Sequence, residues 1–157
     1  MQRTTVERDY DRRRNRHLRH CAVLGGWFIL FGGCGESNNR VAVYPVRGKV
    51  IYRGEPAAGA KVVLYAVEPR DSNTPIPEGE VQEDGAFRLT SYEEGDGAPA
   101  GRYKATVVWN EPIPPGMHAE SFSPRDRLGG RYSDPNRSGL TATVTEGNNV
   151  LEPFELK

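Results

Sequence analysis

"GKVIYRGEPAAGAKVVL", Gly48 to Leu64, alternates, turns, and then runs apolar. Together with the residues just before it, the first half places Val46, Gly48, Val50 and Tyr52 on one side and Arg47, Lys49 and Ile51 on the other. A period of two is the signature of a strand with one buried face. Pro56 and Gly59 mark the turn. "AKVVLYAVEP" is nearly continuous in apolar residues up to Pro69, which predicts a central strand covered on both faces.

Moving outward, the same grammar repeats. "EDGAF" carries Asp84-Gly85, the dipeptide of a tight turn, and points Phe87 and Leu89 inward. "RYKATVVWN" is the cleanest strand, with Tyr103, Ala105, Val107 and Trp109 on one side. "LTATVTEGNNVLEPFELK" predicts a closing hairpin around "EGNN", with Val150, Phe154 and Leu156 inward and a kink or edge at Pro153. No helix-period segment of useful length intervenes. The 18 Gly and 12 Pro agree with short strands joined by many turns. The fold class expected is all-β, an antiparallel β-sandwich of about seven strands over residues 46–157. That length suffices to bury a core of its own.

The N-terminus obeys different rules. Arg12, Arg13, Arg14, Arg16 and Arg19 precede a 13-residue apolar run, "CAVLGGWFILFGG", from Cys21 to Gly33. A bilayer-spanning helix needs about 20 apolar residues, whereas an export signal needs about 7–15. Gly32 and Gly33 then lead into Cys34. This resembles a bacterial lipobox, although Phe31 stands where the pattern usually has Leu. A plain secretory signal or an uncleaved anchor is the alternative. The domain plan is therefore a lipoprotein-type signal over 1–33, a polar tether over 34–45, and the sandwich over 46–157. The expected location is the outer side of a bacterial membrane, periplasmic or cell-surface facing, held by a lipid on Cys34. The zero net charge divides with it: residues 1–33 hold seven Arg and three acids, leaving 14 basic and 18 acidic residues in 34–157. No basic patch remains to suggest nucleic-acid binding.

Three motifs stand in order: "GKVIYRGEPAAGAKVVL", "EDGAFRL" and "APAGRYKATVV" (Ala98 to Val108). The set resembles the carboxypeptidase regulatory-like domain, a transthyretin-like β-sandwich found as an accessory module in bacterial surface proteins. The tail from Arg131 onward is similar to that of small bacterial lipoproteins in which this domain stands alone. The resemblance implies a folding, spacing or binding module and brings no catalytic residues with it.

The residue inventory argues the same way. Hydroxyisourate hydrolases of that superfamily use several histidines and end in Tyr-Arg-Gly-Ser, whereas residues 34–157 hold only His118 and the chain ends "FELK". A Ser-His-Asp triad would also have to rely on His118, in a loop. Zinc would need three or four Cys and His ligands. "YEEGDG" (92–97) and "RDRLGGRYSDPN" (125–136) are acidic loops without the alternating spacing of a calcium loop. No enzyme activity, metal or cofactor is expected.

The candidate binding surface is the long excursion over 111–138, joined by Glu93 to Ala98. Unstructured loops above about 12–15 residues are usually functional or disordered. This one offers Phe122, Arg127, Arg131 and Tyr132, with Tyr92 and Trp109 nearby, and aromatics beside Arg are enriched at interfaces. The competing expectation is that the excursion packs back and caps the sandwich. The expected partners are the membrane, through Cys34, and an envelope protein. The alternative is a polysaccharide stacked on Tyr92, Trp109, Phe122 and Tyr132.

Overall fold

The computed structural model describes residues 40–157. The expected signal segment 1–33, Cys34 and the expected tether as far as Asn39 lie outside the described residues. Residues 46–157 form a β-sandwich of nine strand segments: β1 (Val46–Tyr52), β2 (Glu55–Pro56), β3 (Lys61–Ala66), β4 (Glu78–Glu80), β5 (Ala86–Arg88), β6 (Gly101–Val108), β7 (Leu140–Val144), β8 (Asn149–Val150) and β9 (Phe154–Leu156). The count exceeds about seven because β4 forms inside 70–80, a stretch that the sequence reads as a loop, because the Pro56 turn closes on a two-residue strand, and because the last strand breaks before Pro153 into β8 and β9. Proline cannot donate to a ladder, which accounts for a break at that point.

One sheet is built around β1. Antiparallel β5 and β2 lie along one flank, and parallel β8 and β9 along the other. The second sheet runs β4-β3-β6-β7 and is antiparallel throughout. Between them the inward residues of each alternation meet: Val46 and Val50, Val62 and Leu64, Phe87 and Leu89, Tyr103, Ala105 and Val107, Ala142 and Val144 are all buried. Burial of each large side chain contributes about 1.5–3 kcal/mol. Phe87 and Phe154 stack with centroids 6.1 Å apart, tying β5 to β9 across β1. The Tyr103 hydroxyl donates to the Pro99 carbonyl at 2.6 Å, and burial pushes its pKa upward.

Three sequence expectations change. The closing hairpin does not form. β7 joins β6, while β8 and β9 cross to the other sheet and run parallel to β1. Asn149 makes the crossing: its amide nitrogen donates to the carbonyls of Thr145 and Gly147, both at 2.9 Å, and its Oδ1 accepts from Thr145 N–H at 2.9 Å. Val150 therefore faces water, 74% exposed, because it stands level with the outward Arg47 in the parallel register. Finally, β3 is central but covered on one face only. Val62 and Leu64 are buried, while Tyr65 is exposed, since among the described residues no third layer lies outside this sheet.

The Asp84-Gly85 turn forms as expected, with Gly85 at φ 81°. It carries the chain from one sheet to the other. Backbone bonds between Glu78 and Thr90 at 2.7 and 3.0 Å join the sheets along that side.

The two ends of β6 position the candidate site. At its start, Tyr44 pairs with Ala98, so the N-terminal chain enters there. At its finish, Val108 hands over to Trp109 and the long excursion. A strand of this length spans roughly 23 Å.

Candidate functional site

Trp109 continues the inward register of β6 and is 8% exposed. Its indole N–H donates to the Ala58 carbonyl at 2.8 Å. Tyr52 meets the ring edge-on at 5.8 Å, and the Arg127 guanidinium lies 3.7 Å over its face. Every surface of the ring is thereby occupied or nearly so.

Asp126 fastens the excursion to this end. Its Oδ1 accepts from the N–H groups of Trp109 and Leu128, both at 3.0 Å, and its Oδ2 accepts from Gly130 N–H at 2.8 Å. Backbone bonds from Arg127 N–H to Trp109 (2.7 Å) and from Glu111 N–H to Arg125 (2.9 Å) close the root. The excursion thus divides in two. Residues 125–138 pack back on the sandwich. Leu128 and Tyr132 are buried, the Tyr132 hydroxyl accepts from Lys157 N–H at 3.0 Å, and the Ser138 hydroxyl donates to the Ala105 carbonyl at 2.7 Å. Residues 111–124 form an arm held at both ends. It contains one 3₁₀ turn, Ala119–Ser121, and presents Ile113 (49% exposed) and Met117 (47%) to water.

The expected residues do not form one surface. Trp109 and Arg127 are in contact at the arm's root. Arg131 lies 5.6 Å over the Tyr132 ring and donates to the Lys157 carbonyl at 3.3 Å. Phe122 sits half-buried in the arm. Tyr92 is elsewhere: its hydroxyl accepts from Val41 N–H at 3.2 Å, beside the entering chain. The segment 93–98 therefore lies at the opposite end of β6 from the arm, which corrects the joined surface expected from the sequence. Trp109 and Tyr132 are likewise corrected as stacking platforms, because the sandwich and its cap bury both rings.

The acidic loops have a structural role. Asp96 accepts from the N–H groups of Ser91 (2.7 Å), Tyr92 and Glu93 (both 3.0 Å). Burial acts to raise its pKa, but these backbone donors outweigh it and hold the carboxyl below its ordinary value. The Asn136 N–H and the Arg137 side chain lower that of Asp134. Among the described residues, no three His, Cys, Asp or Glu side chains gather where they could hold a metal ion.

Sequence reasoning misses Asp126 as the residue that roots the excursion, although a signal for it is present. Asp followed closely by Gly-Gly is the composition of a side-chain-capped turn. Asp126→Ala leaves three N–H groups without their acceptor, two of them on buried residues. The expected loss is about 2–4 kcal/mol in urea unfolding followed by circular dichroism. Asp126→Asn keeps one acceptor oxygen and should lose roughly half as much.

A cleft of about 450 Å³ opens at the arm's root, between Trp109, Asn110, Pro112, Ile113, Pro124 and Arg127.

No family model matches the sequence, and no curated protein matches it. Among solved structures, the chain is similar to a DUF3823 family protein from Parabacteroides merdae ATCC 43184, with 14% identity, 73% of this chain and 46% of that chain covered, and a TM-score of 0.35. It is similar to a DUF3823 family protein from Bacteroides ovatus ATCC 8483, with 17% identity, 70% and 44% covered, and a TM-score of 0.36. It is also similar to a 9R-lipoxygenase from Cyanothece PCC8801, with 11% identity, 73% and 16% covered, and a TM-score of 0.37. The chain spans less than half the length of each of these three.

Proposed function

We propose that this chain is a lipid-anchored, non-enzymatic protein of the bacterial cell envelope. Its sandwich, similar to the carboxypeptidase regulatory-like domain, serves as an interaction module. One observation carries the reading: the arm over 111–124 is rooted at one end of β6, while the chain leading from Cys34 enters at the other. A lipid on Cys34 would tether the domain through its entry end, and the arm's root lies about 23 Å from that end along β6. A loop set on a rigid scaffold, with its middle in water, suits recognition. Exposed Ile113 and Met117 supply apolar contact area there.

The test is photo-crosslinking in whole cells from a benzophenone amino acid placed at Met117, with Thr143 on β7 as an exposed control position. A discrete adduct from position 117, absent from 143, is expected. No adduct from 117, or the same adducts from both, would overturn the interaction reading.

A further inference from the structure

Arg127 is one of several cations without a carboxylate partner among the described residues, and of those set over aromatic rings it lies nearest, 3.7 Å over Trp109. Among the described residues, Arg40 pairs with Glu93, Lys61 with Glu78, Arg102 with Glu68 and Arg137 with Asp134. Among those same residues, no carboxylate pairs with Arg127. Its neighbour in sequence, Asp126, spends both oxygens on backbone N–H groups. Meanwhile the Trp109 ring holds one face of the guanidinium at 3.7 Å, and Trp109 is itself pinned through Ala58. Stacking uses the face of a guanidinium and leaves the N–H groups in its plane free. The result is a pre-oriented fork of donors, the arrangement that matches a carboxylate.

The rest of the cleft is mostly carbon. Pro112, Ile113 and Pro124 line it, with Asn110 as a neutral donor and acceptor. Glu111 also lines it and is the one acid among its described lining residues, outside ion-pair distance of Arg127. A volume of about 450 Å³ falls within the range of small-ligand sites. A sugar acid would bring a ring of hydroxyls against prolines, with the Trp109 face already taken. A carboxylate on an apolar body fits better.

We propose that this cleft binds the free carboxylate end of a peptide chain whose last side chain is apolar. Arg127 would take the carboxylate, Asn110 the last peptide group, and Pro112, Ile113 and Pro124 the side chain. The proposal rests on the interaction reading above and names the chemistry of its ligand.

The test uses the full chain in detergent with Trp27→Phe, so that Trp109 is the only tryptophan. Acetyl-glycyl-glycyl-leucine is titrated as the free acid and as the C-terminal amide. The free acid should change Trp109 emission saturably, and the amide should bind at least tenfold more weakly. Arg127→Gln should weaken the acid at least tenfold, with an unchanged circular dichroism spectrum. Arg127→Lys should fall between, keeping charge without the fork. Glu111→Gln should tighten binding by removing a like charge. The proposal fails if acid and amide bind alike, if Arg127→Gln binds as the parent does, or if no saturable change occurs. Saturation by sulfate at the same concentration would reduce the site to a general anion contact and overturn it. Tighter binding of a galacturonate trimer would overturn the peptide class. The crosslink from position 117 is a separate result, so this cleft can fail while the interaction module stands.

Discussion

Cys34→Ala is expected to abolish incorporation of radiolabelled palmitate, while Cys21→Ala leaves it intact. The two cysteines sit at opposite ends of the apolar run: Cys21 opens it, and Cys34 follows Gly33 directly after it. Only the second has two small residues before it and a polar chain after it, where processing of an export signal would act. An acyl chain needs the thiol, and alanine has none, so the loss should be complete. Each buried CH₂ of an acyl chain contributes about 0.8 kcal/mol, and stable attachment takes more than one chain. Cells labelled with palmitate and followed by immunoprecipitation give the answer. Label retained in Cys34→Ala, or lost equally in Cys21→Ala, would sink the lipid anchor and leave a plain signal or an uncleaved segment.

Gly97→Ala is expected to cost about 3–5 kcal/mol, a large share of the ~5–15 kcal/mol that holds a domain together. Gly97 has φ of 100°, a conformation that disfavours any Cβ. A Cβ there would also overlap the Tyr44 carbonyl oxygen and stand 2.8 Å from the Pro45 Cα. That backbone cannot step aside, because Tyr44 and Ala98 exchange bonds of 2.9 and 3.0 Å. Gly147 separates the two causes. Its φ is 99°, but a Cβ there meets nothing within 4 Å. Gly147→Ala should therefore cost only the conformational term, about 1 kcal/mol. Urea denaturation of both variants measures the difference directly. Equal losses would mean that the entering chain is not clamped at Ala98.

In β1 and β6 the period-two pattern names the inward residues, from Val46 to Trp109, and each is buried or half-buried. The same pattern misjudges Val150. Alternation gives two faces but not which face turns inward; that is set by the neighbour, here Arg47 on β1. The inward register of Trp109 argues against a stacking platform from the sequence alone. The Arg127 guanidinium on its face is not legible there, because the two residues lie far apart along the chain and no local rule joins them. The Gly-Gly after Asp126 hints at a capped turn over Leu128 and Gly130, but nothing local shows that the same carboxylate also collects the Trp109 amide 17 residues away.

Near neighbours along the chain govern one part of this protein. Local alternation and turn residues set the all-β class, most of the strand faces and the Asp84-Gly85 turn, and the sharp stop of an apolar run at Cys34 sets the expectation of export. Contacts between distant segments govern the rest. They send β8 and β9 parallel to β1, put Tyr92 and Trp109 at opposite ends of β6, and leave Arg127 stacked on an indole instead of paired with an acid. These outcomes depend on which backbone edges and side chains meet across the core, and a chain reveals that only once its burial and hydrogen bonds are satisfied together.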